Sequence, residues 1–164
     1  MTDQKAAKLT RLLQQEIQWV KELITLLTEE KTALSARQFN NLENLAEQKE
    51  LLSGKLEQSA KERMELLEIN HHENQAKVAL QAFLTHCSAE EVSEINQLNN
   101  HLAEELTTCR ELNTINGQVI SSNLSRRQEL ITILSGQSSS AAIDIYTAHG
   151  DVKKTAESHR HEEA

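Results

Sequence analysis

Apolar residues recur at steps of three and four along most of this chain, which is the spacing of helices that each bury one stripe. The first such run covers about Asp3 to Leu34, through Leu9, Leu12, Leu13, Glu16, Trp19, Val20, Leu23, Leu27 and Leu34. "SARQFNN" interrupts it. A second helix is predicted from Gln38 or Asn41 to about Asn70, with its stripe at Phe39, Leu42, Leu45, Leu52, Leu56, Ala60 and Leu66, broken once by Lys49. The short link makes these two helices antiparallel neighbours. "HHEN" at 71–74 marks a boundary, and a shorter helix follows over 75–86. Ser88 and Glu91 then form the signature of a capping box. The stripe that starts there runs through Val92, Ile95, Leu98, Leu102, Leu106, Cys109, Leu112, Ile115, Val119, Asn123 or Leu124, and Leu130 to Leu134, and Ser135-Gly136 stops it. Unbroken, this last helix is about 46 residues, or roughly 70 Å. The stripe keeps its phase across Asn116-Gly117, so the pair is read as helix, straight or kinked, despite being a strong turn signal, and the alternative is two helices that meet at a turn.

The pattern therefore predicts an all-α protein: an elongated antiparallel helical bundle or coiled coil of three to four helices spanning residues 1–136. Residues 137–164 form a flexible C-terminal tail, with a short recognition segment at 143–150. Composition agrees. The 164 residues include no proline, four glycines, one Trp, one Tyr and two Phe, and 38 % are hydrophobic. That is too few for a thick layered core. The stripe drifts and is interrupted at 35–41 and 71–74, which favours a compact bundle over one sustained coiled coil.

Charge and candidate chemistry remove several function classes. The formal net charge is −8, and "SRRQ" is too small a basic patch to hold a phosphate backbone. No apolar run is long enough to span a membrane, and the N-terminus lacks the apolar block of a secretory signal. Cys87 and Cys109 read as two reduced thiols of a cytoplasmic protein. Among seven histidines, "HHEN" begins like a zinc-peptidase motif, but Ala76 stands where the second ligand belongs. Glu68 and His71 supply one of the two Glu-x-x-His pairs a di-iron bundle needs. His101 and Cys109 lie about 12 Å apart along a helix axis, and His159 and His161 fall in the tail. No metal, cofactor or nucleophile setting emerges, so the chain is not expected to be an enzyme.

The last long helix outlasts helices of about 30 residues, leaving part of its stripe between Leu112 and Leu134 without an intramolecular cover. Such a face docks another amphipathic helix. Tyr146, flanked by Ile143 and Ile145, is either a short linear recognition element or a cap that folds back on the bundle.

"CRELNTINGQVISSNLSRRQELITILSG", a loose linker and then "IYTAHGD" resemble the FlgN family of flagellar type III export chaperones. The match rests on Leu112-Asn113, Asn116-Gly117, Val119-Ile120, Asn123, Leu130, Leu134, Tyr146 and Gly150. One departure is Thr147 after the tyrosine, where the family often has glycine directly. The resemblance implies a cytoplasmic chaperone that binds the C-terminal segments of the hook–filament junction proteins, prevents their premature assembly and delivers them to the membrane export gate. Together with the uncovered stripe, it gives client-binding positions at Leu112, Ile115, Asn116, Gly117, Val119, Ile120, Asn123, Leu124, Leu130 and Leu134, and the resemblance implies docking on the cytoplasmic domain of the gate through Tyr146 and Gly150. Gly117 removes a side chain where a second helix would approach, and Asn116 is placed to fix register with a partner. The alternative is a self-associating coiled-coil structural or tethering protein.

Overall fold

The computed structural model describes residues 2–69 and 75–135, together with the backbone of 144–146 and 152–154. Among the described residues four helices carry the fold: α1 (Thr2–Ser35), α2 (Leu42–Leu66), α3 (Gln75–Leu84) and α4 (Ala89–Leu134), with a 3-10 turn at Phe39–Asn41 before α2.

The helix ends follow from local chemistry. At the start of α4, the Ser88 hydroxyl accepts from the Glu91 N–H at 3.2 Å, and the Ser88 N–H donates to Glu91 Oε2 at 2.8 Å, completing the capping box. α1 ends in a Schellman motif: Gln38 N–H reaches Ala33 O at 2.9 Å, Arg37 N–H reaches Leu34 O at 3.3 Å, and Arg37 takes φ 54°. α2 ends the same way, with Ile69 N–H on Met64 O at 3.0 Å and Glu68 at φ 57°. Helix 2 thus stops at Leu66, short of the Asn70 expected from the pattern, because a non-glycine residue occupies the left-handed position and gives no glycine signal.

α1 is the central helix, with α2 and α4 both packed on it. The core it shares with α4 is dominated by a seven-residue repeat, with Leu9 and Ile17 buried in the same cluster between its layers. Ala6, Leu13, Val20, Leu27 and Leu34 are all buried on α1, and Ile95, Leu102, Cys109 and Asn116 are all buried on α4. Asn116 Nδ2 donates to the Leu27 carbonyl at 2.8 Å, which sets the register at 89 residues. The same spacing aligns Ala6 with Ile95, Leu13 with Leu102 and Val20 with Cys109, and carries Leu34 to the level of Asn123. The two helices therefore run parallel, with the knobs-into-holes periodicity of a two-stranded coiled coil. The antiparallel order holds for α1 and α2, and α4 is the exception. α2 ends beside the start of α1, where Lys5 meets Glu68 at 3.7 Å. α3, with 10 residues, spans only about 15 Å, so α4 begins at that same end and follows α1.

The α1–α2 seam is built differently. Leu26, Leu45 and Leu52 form its apolar centre, with Trp19, Leu23 and Leu42 against them. Two buried carboxylates of α1 face α2. Glu16 accepts from Ser59 Oγ at 3.0 Å and from Arg63 Nε and Nη2, both at 3.1 Å. Glu30 pairs with Lys49, which accounts for the lysine that breaks the helix 2 stripe. Each carboxylate is desolvated but matched by a partly exposed cation, so removing the cation strands it.

Beyond α4, Asp144–Tyr146 (β1) and Val152–Lys154 (β2) pair antiparallel, with Tyr146 opposite Val152, and β1 lies against α4. The sequence pattern predicted no strand here. The expected flexibility of the remaining tail concerns residues outside the described ones.

A candidate docking surface at the end of the long helix

The register decides where α4 loses its cover. With α1 ending at Ser35 and the 89-residue offset fixed by Asn116, the last residue of α1 is level with Leu124. α4 continues to Leu134, about 15 Å further at 1.5 Å per residue. Over that overhang Leu130 and Ile131 are each 58 % exposed, Ile133 73 % and Leu134 84 %. One exposed leucine is ordinary, but four large apolar side chains within five residues form a patch that soluble surfaces usually bury. Thr132, in the same stretch, is buried, and its hydroxyl donates to the Gln128 carbonyl one turn back at 2.8 Å.

The positions singled out from sequence divide into three groups. Leu130 and Leu134 are fully on the bare end, and Leu124 and Ile115 are about two-fifths exposed. Leu112 packs at the edge of the α1–α4 core, and Gly117, Val119, Ile120 and Asn123 are half-buried beside it. Asn116 is fully buried: its amide is spent on α1, so the register it fixes here is that of this chain's own seam. The Asn116-Gly117 pair leaves α4 unbroken from Ala89 to Leu134. The backbone of Tyr146 lies in β1, whereas its side chain and Gly150 fall outside the described residues. The sequence reading missed Ile131 and Ile133. Their signal was the run "LITIL", five residues long, which no single helical face can bury.

Electrostatically, the surface is quiet. No charged residue occurs between Leu112 and Ser125, after which Arg126, Arg127 and Glu129 flank the bare leucines. Acidic residues concentrate at the start of α4, where Glu90 and Glu91 favour the positive end of the helix dipole.

Chemistry elsewhere is sparse. Among the described residues no group of three or more His, Cys, Asp or Glu is arranged to hold a metal. His101 Nε2 meets Glu105 Oε1 at 3.2 Å across one helical turn. Burial pushes the Cys109 thiol up, against a smaller opposing effect of Arg110. Burial, then Glu91 and Asp3, push the Cys87 thiol up as well. Neither is the depressed, electropositive thiol of a nucleophile. A cavity of about 370 Å³ between the ends of α1, α2 and α3 is lined mainly by Leu9, Leu13, Met64, Leu67 and Leu80, with Arg63 at its wall. It presents no pair of groups suited to acid–base work.

Comparison with protein families decides the affiliation: the family model described as "FlgN protein" matches residues 1–154. The chain belongs to the FlgN family. FlgN proteins are flagellar export chaperones, a binding family rather than an enzyme family, and the helical bundle fits that role. No curated protein and no solved structure matches the chain. No described helix is long and apolar enough to cross a membrane.

Proposed function

We propose that this FlgN-family chain is a cytoplasmic chaperone that takes up the C-terminal segments of the hook–filament junction proteins on the distal part of α4, prevents their premature assembly and hands them to the cytoplasmic domain of the export gate through the segment around Tyr146. The observation that carries this reading is the overhang of α4, which leaves Leu130, Ile131, Ile133 and Leu134 without cover from α1. An amphipathic client helix laid along that face supplies the missing apolar partner. Because the face carries no charge over Leu112–Ser125, recognition there rests on apolar burial and neutral polar groups.

The self-associating alternative needs a heptad seam free to pair with a second chain. The heptad of α1 is already used within the molecule, against α4, which favours the chaperone reading.

The test is calorimetric titration with C-terminal peptides of about 40 residues from the junction proteins of the same genome. Saturable binding with a negative ΔCp is expected. Leu130→Asp with Ile133→Asp abolishes it without loss of helix, since both side chains are already in water. Tyr146→Ala leaves client affinity alone and impairs export. Gly117→Ala weakens the client complex by crowding its approach, and an unchanged affinity removes the close-approach role given to that glycine.

A further inference from the structure

The layers of the α1–α4 seam change character along its length. The first three, ending at Val20 and Cys109, are apolar on both helices. The fourth places Asn116 against Leu27, and the fifth brings Asn123 to the level of Leu34. Asn116 is fully buried, and only half its amide is used: Nδ2 bonds the Leu27 carbonyl, while Oδ1 has no hydrogen-bond partner among the described residues. An amide buried in this way fixes register but weakens the layer that holds it, because parting the helices returns the oxygen to water. Leu34 stands one residue before the end of α1 at Ser35. On its other side α1 stays attached to α2 through Glu30–Lys49 and the Leu26 cluster.

We propose that the seam is zipped in its apolar layers and poised to part at Asn116, so that the distal half of α4 swings away from the α1–α2 hairpin and the Leu27–Leu34 face of α1 is a displaceable cover over part of the client site. This rests on the chaperone reading for the identity of the occupant, and the parting itself does not depend on it. The client's apolar helix enters between α4 and α1, covers Leu27 and Leu34 in place of α4, and extends onto the bare end. The half-buried Val119, Ile120 and Asn123 then become part of the docking face, which the closed seam denies them.

Pulsed thiol labelling of the peptide-free chain tests this, with Leu34→Cys placed in a Cys87→Ser background and the native Cys109 reporting the third layer. Normalised to the unfolded chain, the introduced thiol reacts at least about tenfold faster than Cys109, and Asn116→Leu slows it by about tenfold, as expected for removing a half-satisfied buried amide. Equal rates for the two thiols, or no effect of Asn116→Leu, overturn the proposal. Hydrogen exchange of the unsubstituted chain is the companion reading, with amides of 117–134 exchanging faster than those of 95–109 and Asn116→Leu closing the gap. Peptide titration of the Asn116→Leu chain tests the link to the client. A several-fold loss of affinity supports the cover, and unchanged affinity with slowed labelling shows that opening is not used. Failure of the unsubstituted chain to bind either peptide refutes the chaperone reading and leaves the labelling result to judge the seam.

Discussion

The two ends of α4 are made of similar residues and live in different solvents. Between Ile95 and Cys109 the helix buries one side chain every seven residues against α1. Between Leu130 and Leu134 side chains of the same apolar kind stand in water. Hydrophobicity alone does not separate the two stretches. What separates them is length: α1 has 34 residues and α4 has 46, and the register fixed by Asn116 puts the excess at one end. A chain that needed only to fold would gain nothing from the overhang, whereas a chain that binds a helix gains an apolar face that is already open.

The comparison breaks most sharply under truncation of leucine. Leu102→Ala, in the covered half, is expected to cost about 3 kcal/mol through lost burial and a residual cavity. Ile133→Ala, on the bare end, should stay within about 0.5 kcal/mol of the parent. Urea unfolding followed by circular dichroism measures both, and equal effects would mean that the overhang is core. The α1–α2 seam sharpens the contrast from another side. Glu16→Ala strands Arg63 and Ser59, and is expected to cost about 2–3 kcal/mol, toward the low end for a broken buried pair because Arg63 remains partly exposed. It should leave peptide binding at the end of α4 unchanged, which titration of the variant at a temperature where it is folded will show.

Smaller effects are expected where the backbone rather than the core is altered. Ser88→Ala removes one half of the capping box and should lower stability by about 1 kcal/mol. Gly54→Ala should raise stability by about 1 kcal/mol, since a Cβ there meets nothing within 4 Å. Arg37→Gly relieves a left-handed residue at the end of α1 and should add roughly 0.5 kcal/mol. Thermal unfolding resolves all three, and neither Ser88→Ala nor Gly54→Ala should move client affinity, because both lie away from the distal part of α4.

Much of this architecture was legible in the sequence. The capping box at Ser88 and the unbroken stripe across Asn116-Gly117 located α4, and the interruptions at 35–41 and 71–74 separated the helices. The heptad was not legible, for a physical reason. α1 carries two seams at once: Leu13, Val20 and Leu27 face α4, while Glu16, Trp19, Leu23 and Leu26 lie toward α2. Two superposed seven-residue repeats read as one drifting stripe. The parallel course of α4 depends on α3 being too short to return the chain. The bare end depends on the register, a tertiary quantity that Asn116 supplies through one hydrogen bond to a carbonyl 89 residues away. Sequence spacing marked Asn116 as a residue that fixes register with a partner, whereas the structure spends its amide on α1 of the same chain. Leu130 and Leu134 were recognisable from their stripe, whereas Ile131 and Ile133 fell between stripes and stood out only once the end of α1 was located.

The most direct measurement is the calorimetric titration of the unsubstituted chain and of the Leu130→Asp, Ile133→Asp chain with the junction-protein C-terminal peptides. Saturable binding to the first with negative ΔCp, lost in the second at unchanged helical content, is the predicted result. Undiminished binding by the substituted chain would contradict the assignment of the client to the bare end of α4.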